Sequence, residues 1–220
     1  MTVSQRALVL ALMAGCAATV VGAEENKITP TLTHVEVLHQ GQPFVIRRAH
    51  GEATIPEIFQ KTGRGCPPFC IQPMRIAPGV ETVGELDVLA ALRRIAEGAE
   101  DILVIDSRTP DWVLRGTIPG SINIPWNTLN SDREGEANTV TETFPEILVQ
   151  QFGAERDERT HVWHFERAKT LVLFCNGIWC GQSSVNIKTL LNSGYPADKI
   201  KWYRGGMQDW VSAGLTIVKP

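Results

Sequence analysis

Two short runs of consecutive apolar residues, 102–105 within DILVIDSR and 171–174 within TLVLFC, decide most of what this chain can fold into. Neither run alternates polar with apolar residues. Taken as strands they must be covered on both faces, which is the pattern of a parallel sheet carrying helices on either side. The intervening and following segments supply those helices. TVGELDVLAALRRIAEG places Leu86, Leu89, Ala90 and Leu92 for a helix that stops at Gly98, and FPEILVQQFGA repeats the spacing with Phe144, Ile147, Leu148 and Phe152. SSVNIKTLLNSG reads as a helix with serine as its cap and Gly194 as its stop, and KIKWYRGG as a last strand and turn before a helix around Trp210. The expected fold is α/β, with a mostly parallel central sheet flanked by helices, over residues 80–220 and with a long insertion at 127–169. An extension precedes it at 24–79. There VEVLHQGQPFVIRR reads as a β-hairpin and GRGCPPFCIQPMRIAPG, rich in glycine and proline, as irregular chain.

At 220 residues and 43% hydrophobic, the chain can bury one good core with accessories. The net charge is -3, with acids and bases mixed along the sequence, so nucleic acid is not an expected partner. The opening MTVSQRALVLALMAGCAATVVGAEEN has one basic residue, Arg6, then an apolar run and small residues, which is the order of a secretory signal. Val21, Gly22 and Ala23 form a small-x-small cleavage site before Glu24. Cys16 after Met13, Ala14 and Gly15 offers a lipid-attachment alternative, the only reading that puts the protein on a membrane. A retained anchor is disfavoured, because 7–21 is shorter than the ~20 residues a spanning helix needs. The favoured expectation is a periplasmic or secreted protein with residues 1–23 removed.

Export gives the cysteines their meaning. Cys66, Cys70, Cys175 and Cys180 remain as two close pairs, and in an oxidising compartment two structural disulfides are the plain reading. The surroundings of the pairs differ. Cys175 ends a buried run and opens a loop, CNGIWCGQSS, that enters a helix, where backbone amides and the helix dipole stabilise a thiolate and make it nucleophilic. The alternative is a buried cysteine that merely packs. Gly177 and Gly181 allow close approach of the backbone, but a nucleotide-phosphate cradle is excluded because no Gly-Lys-Ser/Thr follows. Cys180 can either resolve an oxidised or sulfur-loaded Cys175 or simply pack in the loop, and Trp179 either lids the sulfur or fills the core. In Cys66-Pro67-Pro68-Phe69-Cys70 the prolines favour a small closed ring. A structural disulfide is preferred there, with a redox pair serving Cys175 as the alternative. Zinc bound with His50 is disfavoured for want of four spaced ligands, and His34, His39, His161 and His164 are read as surface residues. The insertion at 127–169 is expected to shape a substrate entrance or partner surface.

These motifs resemble a known family. ILVIDSRTPDWVLRGTIPGSINIP is similar to the rhodanese signature of a strand ending in Asp-x-Arg, followed by Gly-His-Ile-Pro-Gly-Ala and Asn-Ile-Pro. LVLFC, LLNSGYP and WYRGGMQDWVSAGL resemble the strand into that family's cysteine, the helix after it and its closing Gly-Gly-x-x-x-Trp motif. The resemblance implies a rhodanese-like domain and a sulfurtransferase: Cys175 carries sulfane sulfur as a persulfide and passes it to a thiophilic acceptor. It implies a cradle from residues 176–182 (Asn176, Gly177, Ile178, Trp179, Cys180, Gly181 and Gln182), with Asp106 and Arg108 as supporting groups for substrate. The expected partners are a small sulfur donor, thiosulfate or a persulfide, and a thiol or protein acceptor; no cofactor or metal is expected. Thr117 stands where the family usually has histidine, and the loop is about two residues longer than usual. That length suggests the related phosphatases of the same fold, yet the phosphate-binding arginine they keep at the loop's end is missing, since none lies between Cys175 and Arg204. Two rival classes remain: a dithiol redox protein using Cys175 and Cys180, and a non-catalytic binding module. The leader reading makes one prediction of its own. N-terminal sequencing of the mature protein should begin at Glu24, and Met1 retained in both soluble and membrane fractions would refute processing.

Overall fold

The computed structural model describes residues 26–49, 54–60, 65–130 and 143–220, so the expected leader, with Cys16 and the expected cleavage site at Ala23, lies outside the described residues, as does His50. In chain order the elements are β1 (His34–His39), β2 (Gln42–Arg47), β3 (Glu81–Thr82), α1 (Glu85–Ala96), β4 (Ile102–Asp106), α2 (Pro110–Val113), β5 (Ile122–Asn123) and α3 (Trp126–Leu129). They continue with α4 (Phe144–Gln150), β6 (Glu155–Arg156), β7 (Trp163–His164), β8 (Thr170–Phe174), α5 (Gln182–Asn192), β9 (Ile200–Tyr203) and α6 (Gly206–Ser212). No helix among the described residues is long and apolar enough to cross a membrane.

The two apolar runs pair with each other. β4 and β8 are parallel neighbours at the centre of a five-stranded sheet ordered β3-β9-β8-β4-β5, all of whose pairings are parallel. Strand alternation splits their side chains between two cores. Val172 and Phe174 face one layer with Val88, Leu89 and Leu92 of α1 and Met207 and Trp210 of α6. Leu171 and Leu173 face the other, with Ile187 and Leu190 of α5 and Ile147 and Leu148 of α4. Burying a large aliphatic or aromatic side chain contributes about 1.5–3 kcal/mol, so these two layers hold the sheet's carboxyl edge as a firm platform.

The extension belongs to the same body. β1 and β2 form the expected antiparallel hairpin, turning at Gln40 (φ 50°) and Gly41 (φ 76°), with Val35, Val37 and Ile46 packed into the α1 core. Positive φ at both turn residues matches the strands' twist. His39 is a correction to the surface assignment: it is 5% exposed, and its Nδ1 accepts the Gly120 amide at 3.2 Å. The end of β2 is stitched to the last residues of the chain, where the amides of Ala49 and Thr216 donate to the carbonyls of Gly214 and Arg47 at 2.7 and 3.1 Å.

The described part of the insertion, 127–130 and 143–169, packs on the sheet. Ile147, Leu148 and Phe152 fill the second core, and the segment returns to the amino end of β8, where the Lys169 amide donates a hydrogen bond to the Phe152 carbonyl at 2.9 Å. Its return at 152–169 therefore meets the amino end of β8, the end opposite Cys175; residues 131–142 lie outside the described residues.

Behind the sheet's carboxyl edge lies a fully buried ion pair. Arg108 Nε and Nη2 donate to Asp106 Oδ1 and Oδ2 at 2.8 and 2.5 Å, and both residues are 0% exposed. Thr117 Oγ1 adds a hydrogen bond to Asp106 Oδ2 at 2.6 Å. Removing one partner strands the other charge without solvent. Asp106→Asn should therefore cost about 3–5 kcal/mol of stability, read as a lower urea midpoint at unchanged slope; a loss under about 1 kcal/mol would contradict the pair's buried, structural role.

Candidate active site

Cys175 follows directly on β8 and is 1% exposed. Ser183 Oγ lies 3.1 Å from its Sγ, and Trp202 Nε1–H donates to that same Oγ at 3.0 Å. With the indole occupying a lone pair, the serine's own proton is directed at the sulfur. The amides of Gly177 and Ser183 and the thiol of Cys180 complete the set of donors, while the Cys180 carbonyl, 3.3 Å away, accepts the Cys175 thiol proton when it is present. Burial pushes the Cys175 thiol up, but the hydrogen bonds from Cys180, from the Ser183 hydroxyl and amide and from Gly177 outweigh it and bring the thiol down from 9.0 to about 7. The hydrogen bond to Cys175, then burial and the neighbouring negative charge, push Cys180 well up. One cysteine is therefore poised as thiolate and the other as thiol.

The loop is held by its carbonyls. The amides of Met207 and Gln208, in the first turn of α6, donate to the carbonyls of Cys175 and Asn176, both at 3.0 Å. Gly206 makes this possible: its φ is +55°, and a Cβ there would collide with the Cys175 carbonyl. At Gly177 a Cβ would strike the Gln208 side chain, whereas at Gly181 the nearest atom, Gln72 Nε2, would be 4.0 Å away. The close approach expected of both glycines is thus required at Gly177 alone.

Each residue expected at the site has a definite place. Cys175, Trp179 and Cys180 form one buried cluster with Ile178 packed against it. Trp179 is 7% exposed and donates through Nε1 to Gln208 Oε1 at 2.8 Å. Gln182 Oε1 stands 3.7 Å from Cys180 Sγ, and Asn176 Oδ1 accepts from Arg108 Nη1 at 3.2 Å. Asp106 and Arg108 are a correction. Having no exposure and turning their polar atoms toward each other, Asn176 and the Gly116 carbonyl (2.7 Å), they brace the loop from behind and are not presented to substrate. Cys66 and Cys70 are joined by a disulfide, and Cys175 and Cys180 are free. Among the described residues, no group of three or more His, Cys, Asp or Glu is arranged to hold a metal.

Sequence reasoning missed four contributors: Ser183, Trp202, Gln72 and Arg204. Ser183 was readable only as a cap. The helix begins instead at Gln182 with Gly181 before it and no side-chain cap, because the serine hydroxyl is spent on sulfur.

No curated protein matches the chain in sequence. Among solved structures it is similar to RPA3614 of Rhodopseudomonas palustris, described as a protein of unknown function and possible tyrosine phosphatase, with 22% identity, 75% of this chain and 100% of that one covered, and a TM-score of 0.41. It is also similar to the human single-domain sulfurtransferase TSTD1 (20% identity, 60% and 96% covered, TM-score 0.37) and to thiosulfate sulfurtransferase from Pseudomonas aeruginosa (21%, 63% and 20%, 0.37). The family model of the rhodanese-like domain matches residues 89–213, which is more than half of the 220 residues and runs from α1 through the cysteine loop to the end of α6, and the chain accordingly belongs to the rhodanese-like domain family.

Proposed function

We propose that the protein is an exported sulfurtransferase in which Cys175 carries the sulfur. The observation that supports this most is the set of donors around one buried sulfur at the head of α5, which favours a thiolate near neutral pH. With thiosulfate as donor, the Cys175 thiolate attacks the sulfane sulfur, the S–S bond breaks, and sulfite leaves with the bonding pair. A thiolate acceptor then attacks the outer sulfur of the persulfide, and Cys175 departs again as thiolate. The amides of Gly177 and Ser183 and the Ser183 hydroxyl serve the negative sulfur in both steps, and neither step calls on a cofactor. Phosphate-ester chemistry lacks support, because no arginine stands in the loop between Cys175 and Arg204.

A second reading rests on the two free cysteines sharing one buried cluster, with Cys175 Sγ 3.3 Å from the Cys180 carbonyl. A dithiol redox protein would lose two hydrogens to an oxidant and join Cys175 to Cys180, where a sulfurtransferase gains a sulfur atom.

Intact mass and peptide mapping after incubation with thiosulfate separate the two readings. The expected result is one added sulfur on the Cys175 peptide, absent from Cys175→Ser, because a hydroxyl is no substitute for a thiolate. Equal loading of that variant would overturn the assignment, and formation of only a Cys175–Cys180 disulfide with no release of sulfide would establish the redox reading, because a persulfide resolved by Cys180 frees sulfide. Since the thiolate is the reacting form and the thiol lies near 7, the loading rate should climb with pH through about 7 and level off above it. Ser183→Ala, which deletes a hydrogen bond to the charged form, should move that midpoint upward by about one pH unit; an unmoved midpoint would remove Ser183 from the chemistry.

A further inference from the structure

The extension does more than add a hairpin. Residues 65–74 run across the cysteine loop, and Gln72 is fastened there on three sides. Its amide donates to the Ile178 carbonyl at 2.8 Å, its side-chain Oε1 accepts the Ser184 hydroxyl at 3.2 Å, and its carbonyl accepts both Nε and Nη2 of Arg204, at 3.1 and 2.7 Å. Its Nε2 turns back to the Cys70 carbonyl at 3.1 Å, tying it to the disulfide-closed ring of 66–70. From that ring Phe69 meets Trp179 edge to face, with centroids 5.7 Å apart and planes at 82°. Phe69 is itself 40% exposed, so it lies outside the loop and Trp179 beneath it.

Two features of this contact are at odds with a purely structural role. A nucleophile prepared by so many donors is 1% exposed, so a reagent reaches it only after something moves. Arg204, moreover, sets two donors, Nε and Nη2, on one uncharged carbonyl oxygen, with the Asp209 carboxylate near enough to feel its charge, whereas its planar fork matches the paired oxygens of an anion. Gln72 stands between Arg204 and the loop, bonded to both.

We infer that segment 65–72 is a lid over Cys175 and that Arg204, occupied by the Gln72 carbonyl when the lid is closed, is the seat of a small anionic sulfur donor whose oxyanion displaces it. The donor class rests on the sulfurtransferase reading; the lid does not. A ligand that binds Arg204 only when Gln72 has left shifts the population toward the open form by its own affinity for that form. Opening is thereby coupled to arrival of the anion, and an uncharged electrophile gains no such help.

Alkylation of Cys175 by neutral iodoacetamide and anionic iodoacetate, followed by peptide mapping at fixed pH, tests this without requiring sulfur transfer. Phe69→Ala and Gln72→Ala each remove a lid contact and should raise the iodoacetamide rate roughly tenfold. Arg204→Gln should also raise the iodoacetamide rate, since the latch is lost, while lowering the ratio of iodoacetate to iodoacetamide rates severalfold. Unchanged rates in both Phe69→Ala and Gln72→Ala, with unaltered thermal melting, would overturn the lid. An unchanged reagent ratio in Arg204→Gln would overturn the anion seat. Failure of thiosulfate to load Cys175 while these alkylation results hold would overturn the donor class and leave the lid standing.

Discussion

A sulfur buried to 1% exposure carries negative charge only where hydrogen-bond donors replace the water it has lost. That requirement organises the carboxyl edge of the sheet. The donors come from three separate places: the turn at Gly177, the start of α5 at Ser183, and the Cys180 thiol. Trp202 on β9 directs the serine, so a strand that never touches the sulfur still helps set its charge. Gly177 and Cys180 lie in the loop between β8 and α5, and Ser183 in the first turn of α5.

Holding the loop still is the task of the groups behind it. Arg108 joins Asp106, the Gly116 carbonyl and Asn176, so the end of β4, the segment after α2 and the residue next to Cys175 share one guanidinium. On the other side, α6 amides take the carbonyls of Cys175 and Asn176. A planar fork with five donors suits the first position because it satisfies several acceptors at once and stays charged. The Gly-Gly pair suits the second because any side chain at Gly206 would occupy the space of the Cys175 carbonyl.

Much of this was legible in the sequence. The runs at 102–105 and 171–174 specified buried parallel strands, and the spacing of Leu89 and Leu92 specified the face of α1, because both depend on local periodicity. The place of Cys175 at a strand end followed from the same pattern. What escaped notice depends on tertiary partners. His39 alternates correctly within its strand, yet only the docking of the hairpin on Gly120 makes its face an interior one. Ser183 obeys the local grammar of a cap until a sulfur eight residues back competes for its hydroxyl. Gln72 and Arg204 are ordinary polar residues 132 positions apart, and nothing near either one announces the other. The resemblance singles out Asp106 and Arg108, but a motif says nothing of which way their side chains turn.

The disulfide between Cys66 and Cys70 spans a sequence separation of only 4, while the extension's β2 is stitched to residues 214–216 at the far end of the chain. These two lengths put assembly in an order. A short ring closes at small entropic cost, whereas contacts spanning most of the chain wait until its last residues arrive. Cys66 and Cys70 pair within their own short ring, so neither is left to cross-link Cys175, whereas Cys175 and Cys180, only five positions apart, are both free in the closed fold.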